Sequence, residues 1–218
     1  METHKKIDLT LDEARELYKG GNKTVKEFVL RVFSEYELSE NYFSEITTFE
    51  DAVGTIGMNL NWALRMVEEL ETASKASAAM FKLNIIRKAL NLGQDLHLTK
   101  DQEDSYIYYP YNPFVTKSST YYKSEINSGK MEVIGKIKSK GEEYYILGGY
   151  ANYGGDASLG YFNSNYGVGT ANANVGLLGC ANKEIAKHLG KYFGMLITEA
   201  KYGDLDGFEI IEDKYGNA

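Results

Sequence analysis

The repeat of apolar residues changes midway along the chain, and nothing else in the sequence restricts the fold as much. Up to about Asp104 apolar side chains recur every three or four positions, the period of a helix with one buried face; beyond it they recur every second position, the period of a strand. Composition changes at the same place. Residues 1–104 hold five glycines and three tyrosines, and residues 105–218 hold 17 and 15. The pattern predicts an α+β fold: a helical amino-terminal region over 1–104, then an antiparallel, Tyr/Gly-rich sheet over 105–218, packed by a carboxy-terminal helix.

In the first half, helix starts are written in the capping residues. Thr10 with Glu13, Thr24 with Glu27 and Thr47 with Glu50 have the spacing at which a hydroxyl accepts from the third helical N–H while the carboxylate reaches back. Leu11, Ala14, Leu17 and Tyr18 share one face after the first. Gly20 and Gly21 are expected to end that helix through positive φ. Val25, Phe28, Val29, Val32 and Phe33 continue a helical period after the second. Leu60, Ala63, Met66, Val67 and Leu70 mark a further helix, and Met80, Leu83, Ile85, Ile86 and Leu90 another before Gly93.

In the second half, "SYIYYP" reads as a strand ended by Pro110, which lacks the N–H a ladder needs. In "KMEVIGKIK", Met131, Val133, Gly135 and Ile137 alternate with Glu132, Ile134, Lys136 and Lys138, and with "YYILGGY" this predicts a hairpin. Between Tyr144 and Asn182 the only charged residue is Asp156, which suits sheet that becomes covered rather than solvated loop. Short strands with glycine-rich turns are expected there, the last being "NVGLLGC". Asn182 then caps a helix with Ile185, Leu189, Phe193, Leu196 and Ala200 on one side, which should pack on the sheet.

Composition narrows the function classes. The chain has 218 residues, 43% hydrophobic and 25% charged, enough for a sizeable core without disulfides. Net charge is −7, with 19 acidic and 13 basic residues in 1–104 and 12 and 11 in 105–218, so the basic stripe that drives nucleic-acid binding is missing. The polar start has no apolar h-region and no run suits a bilayer, so neither Sec export nor membrane association is expected. One cysteine, Cys180, excludes an intrachain disulfide and thiolate-rich metal sites.

Catalytic constellations are hard to assemble from what remains. The histidines are His4, near the terminus, His97, after the last amino-terminal helix, and His188, read as lying opposite the apolar stripe of the closing helix. Cys180 ends a buried strand and reads as packing. Asp204, Asp206, Glu209 and Glu212 invite a calcium loop, but Phe208 stands where an oxygen donor is required, so a turn with a solvated acidic tail is expected. "GVG" at 167–169 lacks a following phosphate-binding helix and lysine and reads as a turn. Glu35 and Glu37 read as solvated carboxylates at a helix end. No enzyme, cofactor or metal is therefore expected. The tyrosine-rich stretch offers a recognition surface instead: Tyr150, Tyr153, Tyr161 and Tyr166 supply flat faces, and Asn152, Asn163, Asn165 and Asp156 supply hydrogen bonding. A neutral glycan or small molecule suits it better than an anion; protein partners or self-association suit it too, since interface cores are poor in charge and rich in tyrosine, and the leading reading is that alternate tyrosines pack inside the chain's own core. An anionic ligand would need Lys136, Lys138 or Lys183.

"KIDLTLDEARELYKGGNKTVKEFVLRVFSEYEL", "YIYYPY" and "GVGTANANVGLLGCANKEIAKHLGKYFGMLI" together resemble a group of uncharacterised proteins of gut Bacteroidales phages and prophages. In that group a similar amino-terminal segment precedes a tyrosine-rich segment, a strand, a cysteine and a helix. Many members carry Leu-Cys-Phe where this chain has Gly179, Cys180 and Ala181, and the hairpin over 131–150 is an addition. The resemblance implies a viral or mobile-element origin and transfers no catalytic residue. Together with the missing catalytic constellation and the charge-free sheet region, this origin leads to the expectation of a non-enzymatic binding or assembly protein, a virion component in the assembled particle or, alternatively, a soluble antagonist in the host cytoplasm that sequesters a defence protein or small signal. Because its amino-terminal motif recurs on different remainders, residues 1–46 read as a separate docking module.

Overall fold

The structure, a computed structural model, describes residues 9–39, 41–92, 107–154 and 179–218. It is α+β. The chain divides into two compact units, Met1–Ser44 and Glu45–Ala218, so the division falls well before the change in composition near Asp104.

The first unit holds α1 (Leu11–Gly20), α2 (Lys23–Val29) and α3 (Glu35–Leu38). Thr10 and Glu13 form the capping box, with the Glu13 carboxylate accepting from the Thr10 N–H at 2.9 Å. Gly21, however, has φ −76°, so no left-handed turn ends α1. The glycine is required for space: a Cβ there would lie 2.4 Å from the Leu17 carbonyl oxygen and 2.6 Å from Val25 Cγ1. The cap of α2 is Asn22, which accepts from the Val25 N–H at 3.1 Å, in place of Thr24, and α2 ends at Val29, short of Val32 and Phe33. Ser34 and Glu37 form a further box that starts α3. Ala14, Val29 and Leu38 are the buried centre of this unit, fringed by Leu11, Tyr18, Val25 and Phe33.

The second unit opens with α4 (Phe49–Thr55), α5 (Leu60–Glu71) and α6 (Lys75–Leu90). The box at α4 is Thr48 with Asp51, one residue beyond Thr47 and Glu50. Asn59 and Ser74 cap α5 and α6. Strand β1 (Ile107–Tyr111) and the short β2 (Phe114–Val115) follow, then α7 (Thr120–Asn127), β3 (Glu132–Ser139), β4 (Glu142–Gly148) and β5 (Tyr150–Gly154). Two helices, α8 (Lys183–Tyr192) and α9 (Gly194–Tyr202), and β6 (Phe208–Asp213) complete it. The single closing helix expected from the sequence is broken at Phe193, but its apolar stripe holds: Ile185, Leu189, Phe193 and Leu196 are all buried.

Strands β2, β4, β3 and β6 form, in that order, an antiparallel four-stranded sheet, while β1 and β5 pair as a separate antiparallel ribbon. The expected hairpin is β3–β4. Its two-residue turn has Lys140 at φ 51° and Gly141 at φ 85°, the doubly positive geometry whose twist matches that of the strands. The strict alternation read along β3 fails at one point. Val133 pairs with Leu147 and Gly135 with Ile146, leaving Ile134 as a bulge residue. The extra residue exchanges the faces. Met131 and Val133 join Val115, Leu147 and Tyr145 under α7, whereas Ile134 and Ile137 join Ile146 and Met195 of α9 on the opposite face. Both faces of the sheet are thereby covered, and each large apolar side chain buried there contributes about 1.5–3 kcal/mol.

The acidic stretch near the carboxy terminus is strand rather than solvated tail. Strand β6 pairs with β3, so that Glu209 stands opposite Lys138 and Glu212 opposite Lys136, with an ion pair between Lys136 and Glu212. Cross-strand opposite charges are what make so acidic a segment a stable edge.

Candidate functional site

The ribbon includes the start of the tyrosine-rich stretch, Tyr150–Gly154, paired with the tyrosines of β1. Tyr111 pairs with Tyr150, Tyr109 with Asn152 and Tyr108 with Tyr153, so three of the predicted surface residues come together with three tyrosines of β1. Asp156, Tyr161, Asn163, Asn165 and Tyr166 lie outside the described residues, as do His4, His97, the "GVG" turn and most of "NVGLLGC". Pro110 does not end β1; it sits within the strand opposite Ala151.

On its other side β1 is met by Cys180. The Tyr108 N–H donates to the Cys180 carbonyl at 3.2 Å and the Cys180 N–H to the Tyr108 carbonyl at 2.8 Å. A strand there would need a further neighbour, and a side chain supplies it. Asn91, just beyond α6, donates from Nδ2 to the Gly179 carbonyl at 3.2 Å and accepts at Oδ1 from the Ala181 N–H at 2.9 Å. Its amide thus imitates a paired peptide group, in a position only 2% exposed. Helix α8 packs across both strands of the ribbon. Close approach is allowed by Gly190, where a Cβ would stand 2.9 Å from that of Pro110. Asn112 fastens this corner, donating to the Leu147 carbonyl at 2.9 Å and the Gly190 carbonyl at 2.7 Å. The ribbon is thereby tied through Cys180 and Asn91 to the end of α6.

The two nucleophile or base candidates have structural partners. Cys180 is fully buried, and burial pushes its thiol up to about 12, only partly offset by the charge of Arg87. At neutral pH it is a thiol, without the thiolate that nucleophilic chemistry uses. His188 is not opposite the stripe but beside it, 8% exposed, with Nε2 2.7 Å from the Ile46 carbonyl oxygen. A carbonyl only accepts, so Nε2 carries the proton and donates. Burial, with Lys191 adding, holds this imidazole below its usual range against the hydrogen bond to Ile46. The helix face that was expected to be open is covered by the Ile46 segment.

The acidic residues disperse. Asp204, in the turn before β6, caps α6 from outside, accepting from the Ser74 hydroxyl and, at 3.2 Å, from the Ala76 N–H. Glu37 is spent on its box with Ser34. Among the described residues no three His, Cys, Asp or Glu side chains converge as metal ligands, and no helix is long and apolar enough to cross a membrane.

One carboxyl of chemical interest was not marked by any motif: Glu199 on α9 is half-buried, and burial raises it above the usual carboxylate range despite Lys82 and Lys75 nearby. Its position inside an apolar helix stripe was the available signal. Lys201, two residues on, is lowered by burial. Compared with known protein families, curated proteins and solved structures, the chain matches none.

Proposed function

We propose that the chain is a non-enzymatic, phage-encoded protein that works by binding or assembly, as a structural component of the virion. One observation carries this reading: Cys180 and His188, its most reactive described groups, are used to build the supports of the ribbon and of the segment at Ile46. A buried thiol and a buried, backbone-bound imidazole serve packing. The phage origin rests on the resemblance of the amino-terminal, "YIYYPY" and carboxy-terminal segments described above.

The contact surface in this reading includes the ribbon, with Tyr150, Asn152 and Tyr153 on β5, and its partner is another protein or a second copy of the chain. Tyrosine side chains give large contact area at low entropic cost. Mass spectrometry of purified particles tests the proposal, with peptides of this chain expected at stoichiometric abundance. Their absence from particles, together with a thermal shift on adding a glycan or a cyclic nucleotide, would favour the soluble antagonist instead.

A further inference from the structure

The geometry points to a second copy of the chain as the partner of the ribbon: the outer edge of β5 pairs antiparallel with the same edge of another molecule, about a two-fold axis at Asn152, to make one continuous sheet. Such pairing rests on the reading of the ribbon as a contact surface and supplies its partner. The direction of each backbone group on the ribbon follows from Cys180. Tyr108 exchanges both of its backbone hydrogen bonds with Cys180, so its N–H and carbonyl face away from β5. Along a strand the groups of successive residues alternate between the two sides. Ile107, Tyr109 and Tyr111 therefore face β5, where they stand opposite Gly154, Asn152 and Tyr150. Pro110, which has no N–H, sits where the ladder with β5 uses none. On β5 the groups of Tyr150, Asn152 and Gly154 are thus taken by β1, and those of Ala151 and Tyr153 point outward. Among the described residues the ribbon ends there.

Outward groups on these two alternate residues fit a second copy of themselves. With Asn152 opposite Asn152 of the copy, Ala151 of each strand stands opposite Tyr153 of the other, and each such pair exchanges both N–H···O bonds. Every outward N–H and carbonyl is then matched. Charge selects the same edge. Strand β5 carries no charged residue, so no like charges meet across the axis. The other edges are blunted. Strand β6 has a bulge in its pairing with β3, and joining two copies of it would set the carboxylates of Glu209 and Glu212 against their own kind. Strand β2 is only two residues long, and the far edge of β1 is taken by Cys180. Of the sheet edges among the described residues, that of β5 has none of the devices that prevent pairing.

The experiment uses the full chain in solution, with mass read by light scattering on a sizing column over a range of concentrations. The natural chain is expected at twice the mass of one chain. A151P removes an outward N–H and none that β1 uses, so it is expected at the mass of one chain with its circular dichroism unchanged. A natural chain that stays single, or a folded A151P that pairs as strongly as the natural chain, overturns the proposal. A second arm uses charge. Pro110, opposite Ala151, lies against Gly190 of α8, so alternation puts Asn152 on the face of the ribbon turned from α8. N152K and N152E are each expected to associate several-fold more weakly than the natural chain, since like charges then meet across the axis, and an equimolar mixture of the two to recover the pairing. A mixture that associates no better than either variant alone overturns the proposal, and this arm decides if A151P does not fold. The virion reading fails separately: a dimer missing from particles keeps this inference and removes that function, and a single chain found in particles does the reverse.

Discussion

Asn91 is a side chain doing the work of a backbone. Replacing it with alanine removes the partners of the Gly179 carbonyl, which stays buried, and of the N–H of the exposed Ala181. An unpaired buried group costs about 1–3 kcal/mol, so N91A should lose roughly 1–3 kcal/mol in denaturant unfolding. A variant that loses less than about 1 kcal/mol would mean that water replaces the amide. Nothing in the local sequence distinguishes Asn91 from any asparagine after a helix. The caps Thr10 and Asn182 were legible because their partners lie three residues away. Asn91, His188 and Asp204 were not, because theirs lie 88, 142 and 130 residues away. The candidate site was legible only as composition: the tyrosines marked segments that β1 and β5 include, but the pairing of the two strands and the supports that hold the ribbon depend on chain crossings that no short motif records.

Among elements, helices were easier to read than strands for a geometric reason. One extra residue turns the rest of a helix by about 100°, leaving part of a wide apolar face in place, whereas in a strand it sends all that follows to the other side. Ile134 does this to β3, so the faces assigned by alternation hold from Gly135 onward and reverse before it. Strand β6 escaped notice because its acidic residues are balanced by lysines on β3, a neighbour about 70 residues distant in the chain. Two glycines in helices should respond oppositely to the same substitution. At Gly194, which starts α9, a Cβ would lie 2.3 Å from Ile134 Cδ1 and 2.6 Å from Asn112 Nδ2, so G194A should cost about 1–3 kcal/mol. At Gly54 in α4 a Cβ meets nothing within 4 Å, so G54A should gain about 0.4–1 kcal/mol. Thermal unfolding of the pair checks both signs, and stabilisation by G194A would contradict the packing of α9 on β3.

For the molecule as a whole, the division at Ser44 makes a sharper test of modularity than a cut at residue 46. A chain beginning at Glu45 keeps Ile46, fully seated and bonded to His188, whereas one beginning at Thr47 loses both the side chain and the carbonyl. The longer should unfold cooperatively near the midpoint of the second unit in the natural protein; the shorter should be weaker by about 2–4 kcal/mol. Equal stability of the two would remove Ile46 from the core. The first unit, with Ala14, Val29 and Leu38 as its buried centre in 44 residues, is at the size where a single apolar core is marginal and should melt first. The hold of Asn91 on Gly179 and Ala181, and of Cys180 on Tyr108, has a corollary for unfolding. The end of α6, strand β1 and the approach to α8 are tied directly to one another, so their amide hydrogens should exchange with solvent as one cooperative block.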